Sequence, residues 1–421
     1  MKLFSLAWHS LLNRRFSVVM TVVTIALSIA LLVMVEQLRT EVREGFYRSV
    51  SGTDLIVGAR TAPVQLLLYS VFGLGSPTNN VSWSTYRMVA DHRSVAWTIP
   101  ISLGDSHRGY RVTGTTGAFF EHYRYGDSQA LGFRDGEAFD DLYDVVVGYQ
   151  VARKLGYAPG DRIAIAHGGG NVSLHEHDDH PFEISGVLAP TGTPVDQSLY
   201  ISLAAYEAIH TGWQGGVHRP GSGLTPDEAR QQREQLTPES ITAMLVGLNT
   251  RAAVFGLQRE LNEYRPEALT ATMPGITLQQ LWRITGVAEQ VLRIVAALVV
   301  ITGLLGMLTV LMTTLNERRR EMAILRANGA RPWQVAALLV FEAGLITVAG
   351  ILLGVLVAMA SLALAAPWVL DTFGLAVGPG LPQAWQVAVL ALIALAGLLV
   401  ALVPATMAYR RTLTDGMQVR T

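Results

Sequence analysis

Four stretches of the chain stay apolar over the length that a bilayer requires. A hydrocarbon core of about 30 Å takes roughly 20 helical residues, because backbone polar groups cannot go unpaired there. FSVVMTVVTIALSIALLVMV, from Phe16 to Val35, carries no charge, and Ile294 to Leu315 is a second such run. A third, 336–365, contains only Glu342, and a fourth occupies 384–407. The pattern predicts four transmembrane helices. The first run is longer than the roughly 7–15 apolar residues of a secretory leader and ends at Glu36 without a small-x-small site, so it reads as a retained anchor.

Between the first two runs the pattern changes. Residues 36–293 are far too long for a loop and predict a soluble domain. At its base Leu38, Val42, Gly45 and Phe46 recur at helical spacing, as do Leu278, Leu281, Thr285, Ala288, Leu292 and Val295. These predict two stalk helices that carry the domain. Short β-rich stretches follow one another at Asp54–Val57, Asp144–Val147, Arg162–Ala166, Phe182–Leu188 and Leu199–Ile201, with helices predicted at Gln150–Leu155 and Leu203–His210. The region Gly212–Thr237, rich in Gly, Gln, Arg and Pro, predicts a partly mobile insertion. Ala62–Leu74 (APVQLLLYSVFGL) is too short to span and reads either as buried core or as a membrane-proximal surface. The fold class is thus an α-helical membrane protein with four transmembrane helices and a large α+β extracytoplasmic domain between the first and second.

Basic residues set the orientation. Lys2, Arg14 and Arg15 precede the first run, Arg318, Arg319, Arg320, Arg326 and Arg331 lie between the second and third, and Arg410, Arg411 and Arg420 follow the fourth. The positive-inside bias puts both termini and the elbow 316–335 in the cytoplasm, with the large domain and the short loop 366–383 outside. Residues 1–15 read as a cytoplasmic amphipathic helix and 408–421 as a cytoplasmic tail.

Composition narrows the chemistry. The chain is 50% hydrophobic and 15% charged, against about a quarter charged in soluble domains. Its net charge of −1 gives no electrostatic reason to expect nucleic acid. With no cysteine there is no disulfide, thiolate ligand or cysteine nucleophile. Lys2 and Lys154 are the only lysines, and Lys154, between Arg153 and Leu155, does not fit G-x-x-x-x-G-K-[ST]. These residues therefore hold no Walker ATPase site and predict no enzymatic activity of their own.

One segment does carry candidate ligands. HGGGNVSLHEHDDHPF (167–182) contains His167, His175, His177, Asp178 and His180. Imidazole and carboxylate suit Zn²⁺. The residue four after His175 is Asp179, so the H-E-x-x-H of a catalytic zincin fails. The three glycines and Pro181 predict a loop or hairpin tip, where either labile metal binding or simple solvation fits. Within the third run, Glu342 is expensive in lipid unless paired or interfacial, and Gly350 and Gly354 permit close helix approach. All three read as helix-packing positions.

Asn316–Val335 reads NERRREMAILRANGARPWQV: strong helix formers from Glu317, a stop at Gly329, and a restart at Pro332. This segment resembles the signature after the second span in ABC transporter permeases of the MacB/FtsX/LolC superfamily. TDLIVGAR, VVVGYQVARKLGYAPGDRIAI and ISGVLAPTGTPVDQSLYISL resemble that family's MacB-like periplasmic core domain. LFSLAWHSLLNRRFS resembles its N-terminal amphipathic helix, and Pro404-Ala405 with Ala408 its closing motif. The resemblance covers the whole chain, although the tail after Arg411 departs from the pattern.

The resemblance implies a permease subunit in a bacterial inner membrane, paired with a second permease chain as a homo- or heterodimer and docked on a separate cytoplasmic ABC ATPase subunit that binds the ATP. Glu317, Arg318, Arg319, Arg320, Glu321, Arg326, Gly329 and Arg331 would form the ATPase-coupling elbow. ATP-driven closure would then move the periplasmic domain, by mechanotransmission, on a cargo such as a lipoprotein, peptide, lipid or drug-like molecule. A periplasmic adaptor or substrate-binding protein and membrane lipids are further implied partners. The alternatives are zinc handling through the His-rich loop and a regulatory scaffold that activates a periplasmic hydrolase.

Overall fold

The computed structural model describes residues 14–410 except 168–174, 177–179, 212, 215–216, 219–222, 318–321, 323, 325, 328, 374–377, 379 and 381. The chain divides into two compact units, one of membrane-type helices and one comprising 42–285 with 368–376.

The helical unit draws on α1 (Arg15–Arg48), and on three helices near the C-terminus: Pro274–Glu317, Pro332–Phe373 and Ala384–Arg410. All four are long and apolar enough to cross a membrane. Its core is aliphatic: Ile25, Ile29 and Val33 of the first helix meet Val300, Met307 and Leu311 of the second, Ala343 and Ile346 of the third, and Ile393 and Ala401 of the fourth. Small residues set the spacing. A Cβ on Gly350 would stand 2.6 Å from Ile25, and one on Gly397 2.7 Å from Thr347. Hydroxyls are satisfied within the helices, as when Thr21 donates to Ser17 O and Thr347 to Ala343 O, both at 2.8 Å. Ser28 reaches across as well, donating to Val299 O at 3.2 Å.

The second unit is built on a mixed sheet. Its strands, in chain order, are β1 (Leu55–Ala59), β2 (Val95–His107), β3 (Tyr110–Thr115), β4 (Phe133–Gly136), β5 (Asp144–Val147), β6 (Ala166–His167), β7 (His175–Glu176), β8 (Phe182–Leu188), β9 (Ser198–Ser202), β10 (Ala243–Leu248) and β11 (Leu269–Thr272). They are ordered β11-β1-β10-β2-β3-β9-β5-β8-β4, with β6 and β7 added beside β2. Pairing is antiparallel except for β3 with β9 and β5 with β8. β2 joins two halves: Val95–Ile101 pair with β10, and Ser102–His107 with β3. Two helices matter below, α2 (Pro63–Ser70) and the helix Leu203–His210, here α3. α3 starts at Ser202, whose hydroxyl accepts from Ala205 N, a capping bond that satisfies one orphan donor of the first turn. Val145, Val147, Ile184, Leu199 and Ile201 form one core with Ala205 and Ile209 of α3. On the other face Leu66 and Leu67 of α2 pack with Ile99, Leu245 and the stalk-base residues Phe46, Leu278 and Trp282.

Of the two readings of Ala62–Leu74, buried core holds for α2, where Leu66, Leu67 and Tyr69 are buried and a Cβ on Gly58 would lie 2.6 Å from Leu66, whereas Leu74 is exposed. Other expectations need correction. Arg162–Ala166 is not one strand but two pieces, Arg162–Ile163 on β8 and Ala166–His167 on β2. In the segment predicted to be partly mobile, Pro226–Gln231 forms a helix with a full Thr225/Glu228 capping box, which anchors Ala229 in the core. The third long helix does not give way to a loop at 366. It runs through Pro367 to Phe373, and its last carbonyls accept from neighbouring side chains: Lys154 Nζ donates to Asp371 O, Gln197 Nε2 donates to Leu370 O at 3.4 Å, and Arg153 pairs with the Asp371 carboxylate. Those donors, remote in sequence, satisfy a helix end that proline at 367 would otherwise weaken.

Candidate functional site

The elbow between the second and third long helices is partly described. Glu317 closes a helix; Arg318, Arg319, Arg320 and Glu321 lie outside the described residues. Arg326 is helical, and Gly329 follows at φ 91°, a left-handed stop in which its N–H donates to Arg326 O at 3.0 Å. Arg331 N donates to Gln334 Oε1 at 2.8 Å, and Pro332 opens the next helix. Met322 packs against Leu315, Val335, Leu339 and Ala408, while Ile324 and Trp333 are exposed. Among the described residues the turn thus carries Arg326 and Arg331 beside the exposed Ile324 and Trp333.

In the helical unit Glu342 is buried, at 4% exposure, and Gly350 and Gly354 face Ile25, Ala26 and Ile29 of α1. One feature escaped sequence reasoning. Glu36 is buried at the outer end of the first run, where Arg39 Nε donates to it at 2.9 Å and Arg293 Nε approaches at 3.4 Å; Arg39 also reaches Glu289 at 3.4 Å. This ion network ties α1 to the second long helix. Sequence treats Glu36 and Arg293 only as ends of segments more than 250 residues apart.

Of the five candidate metal ligands, His177 and Asp178 lie outside the described residues. His180 is placed against Tyr143, whose hydroxyl is 3.0 Å from Nδ1 with the rings stacked. Burial pushes that hydroxyl up to about 12, with the Arg230 charge opposing and Asp141 adding. His167 and His175 are brought into direct register on the β6–β7 hairpin, and His167 stands opposite Asp105 of β2. Asp105 is 3% exposed, and His210 at the end of α3 brings Nε2 to 3.7 Å from its Oδ1. Tyr206 seats that helix: its hydroxyl donates to Leu103 O at 3.2 Å, and its ring lies so close to β3 that a Cβ on Gly114 would meet it at 3.0 Å. Burial, then the charges of Asp105 and Glu207, hold the Tyr206 hydroxyl far above its ordinary pKa, so it remains a donor. His107 is engaged differently, with Nδ1 2.6 Å from Ala164 O and Nε2 2.8 Å from the Tyr157 hydroxyl. Asp105 and His210 carry no local signal: their pairing joins a strand to the end of the helix Leu203–His210, about a hundred residues away.

A family model described as a MacB-like periplasmic core domain matches residues 18–264, and one described as an FtsX-like permease C-terminal domain matches residues 293–415. The macrolide export ATP-binding/permease protein MacB of Nitrosomonas europaea is 25% identical over 203 residues, 47% of this chain and 28% of that relative's length. The chain thus spans less than a third of that curated relative. The periplasmic region of MacB from Actinobacillus actinomycetemcomitans superposes over 55% of this chain and 92% of its own, at 11% identity and a TM-score of 0.33. The extracellular domain of the noncanonic ABC-type transporter YknZ from Gram-positive bacteria covers 52% of this chain and 99% of its own, at 11% identity and a TM-score of 0.29. Superpositions this loose do not compare individual residues.

Proposed function

The chain belongs to the family of ABC-type permeases that join a MacB-like periplasmic core domain to an FtsX-like permease domain, and from that premise we propose that it is the membrane subunit of a mechanically coupled complex. It is a multi-pass membrane protein with an extracytoplasmic domain. In the proposed cycle a separate ATPase chain, on the cytoplasmic side of a bacterial inner membrane, grips the elbow at Glu317–Arg331, and its closure moves the two long helices that run into the α+β domain. The observation that carries this reading is the length of those helices. At about 1.5 Å per residue, the 34 residues of α1 and the 44 of Pro274–Glu317 far exceed the roughly 30 Å of a bilayer core, so each helix is longer than a membrane span requires. The Glu36–Arg39–Glu289–Arg293 network supports it by making the two move together. The proposed cargo is handled outside the membrane: a lipoprotein, peptide, lipid or drug-like molecule.

Exchanging charge at the elbow tests the coupling. The double variant Glu321→Arg, Arg326→Glu is expected to lower the ATPase recovered with the tagged permease tenfold or more, equivalent to about 1.4 kcal/mol, with membrane insertion unchanged. Undiminished co-purification would remove the elbow from the proposal.

A second permease chain is supported by the outward face of the second long helix. Ile284, Val287, Val291, Ile294, Leu298, Ile301 and Leu305 are all exposed, and they alternate in steps of three and four residues, the spacing of a coiled-coil seam. Because the chain has no cysteine, Val287→Cys is a clean probe. In membranes treated with a mild oxidant it is expected to form a disulfide-linked dimer, and a monomer on non-reducing gels would exclude pairing through this face.

A further inference from the structure

The last two turns of α1 form one wall of an open cleft in the extracytoplasmic unit. Glu44, Tyr47 and Arg48 stand at steps of three and four residues, so they share a face of the helix. The second wall is a small hairpin in which Arg124–Tyr125 pairs with Gln129–Ala130, and Thr191 completes the lining. Backbone fixes the hairpin to the helix end: Gly126 N donates to Arg48 O at 2.9 Å, and Ser128 N donates to Ser51 Oγ at 3.2 Å. Ser128 is held at φ 62°, a left-handed backbone that a serine keeps only when its surroundings impose it. Thr191 is fixed as well, its N–H and hydroxyl both donating to the buried Asp196 carboxylate, at 2.9 and 2.8 Å. The cleft has a volume of about 580 Å³, within the roughly 300–1,000 Å³ of small-molecule sites.

The charges of the lining do not cancel. Glu44 and Asp127 against Arg48 leave a net charge of −1. Arg48 is paired with Glu44 at 3.4 Å, and Arg124 turns its guanidinium to Glu121 O and Tyr123 O, at 2.7 and 2.9 Å. Asp127 is exposed and has no hydrogen-bond or ion-pair partner among the described residues. An anion would meet that carboxylate with the nearest cation already committed, and a wholly apolar ligand would strip water from Asp127, Gln129 and Thr191 without replacing it. A positive charge carried on an apolar body meets neither cost. The carboxylate attracts the charge, and the rings of Tyr47 and Tyr125 offer electron-rich faces to the rest. We propose that this cleft binds a small organic cation, an ammonium or guanidinium compound, with its charge at Asp127 and its apolar body against Tyr47 and Tyr125. The site stands whether or not the chain couples to an ATPase, since its readout is binding.

The experiment is calorimetric titration of benzyltrimethylammonium into the full-length chain purified in detergent, with benzyl alcohol as the neutral counterpart. Saturable binding of the cation is expected, with benzyl alcohol at least tenfold weaker. Asp127→Asn should weaken the cation at least tenfold and Tyr47→Ala severalfold. Glu263→Gln, an exposed acid at the end of the helix Val254–Asn262, should change nothing. A wild-type chain that shows no saturable uptake would overturn the proposal. Equal affinity for benzyl alcohol would do the same, because the cleft would then be a site for neutral ligands. So would undiminished affinity in Asp127→Asn, or a loss in Glu263→Gln as large, which would mean diffuse attraction to surface acids. If Asp127→Asn does not fold, Tyr47→Ala decides, because it changes the helix wall rather than the hairpin.

Discussion

Gly354→Leu is expected to disrupt the helical unit, lowering its stability by about 3 kcal/mol or more and appearing as a sharp loss of monodisperse protein on heating in detergent. A Cβ at this position would lie 2.7 Å from Ala26 O and 2.7 Å from Ile29 Cβ. The first obstacle is backbone, which cannot rotate away, so the third long helix must separate from α1. Overpacking typically costs about 1–3 kcal/mol where side chains can adjust, and more where they cannot. Gly350→Ala should be milder, because its two nearest neighbours are side-chain atoms of Ile25 and the backbone, Val22 O, is at an ordinary 3.5 Å. Gly306 has nothing within 4 Å of a built Cβ, so Gly306→Ala should be neutral or slightly stabilising through helix propensity. Equal melting of Gly354→Leu and Gly306→Ala would show that close approach at 354 is not what holds the helices together.

Gly136→Ala is the corresponding test of the extracytoplasmic domain. Gly136 is the register partner of Gly186 at the β4–β8 edge, at φ 70°, and a Cβ there would stand 2.1 Å from Ser185 O. Two costs add: the left-handed backbone of a non-glycine residue, about 1–2 kcal/mol, and a clash with backbone that only unpairing can relieve. We expect a total of about 3 kcal/mol or more, read as a lower thermal midpoint by circular dichroism. Gly156 separates the two costs. It sits at φ 74° as the left-handed cap of the helix Tyr149–Leu155, with nothing within 4 Å of a built Cβ. Gly156→Ala should therefore cost only the backbone part, about 1 kcal/mol. Equal losses in the two variants would mean that the β4 contact contributes nothing beyond backbone strain.

Much of the architecture was legible because its signals are local. Phe182–Leu188 and Leu203–His210 are read to the residue, since each combines an apolar pattern with flanking Pro or Ser. The central strand Val95–His107 is not, because Pro100 and Gly104 interrupt it and its two halves pair with strands far apart in the chain. The same limit governs the site. In HGGGNVSLHEHDDHPF the ligand types are visible, but which of them can act together depends on partners that spacing does not reveal.

Local pattern alone is enough for the four apolar helices, the charged elbow with its glycine stop and proline restart, the α+β extracytoplasmic domain and the family, because hydrophobic period, turn chemistry and motif spacing are properties of neighbouring residues. It takes the folded chain to show that Glu36 is bridged to Arg293, that Gly354 is the contact point for Ala26, and that His167 stands in register with both Asp105 and His175. Those pairings join segments tens to hundreds of residues apart. They are set by strand register and helix packing, which depend on the whole core rather than on any one stretch of chain.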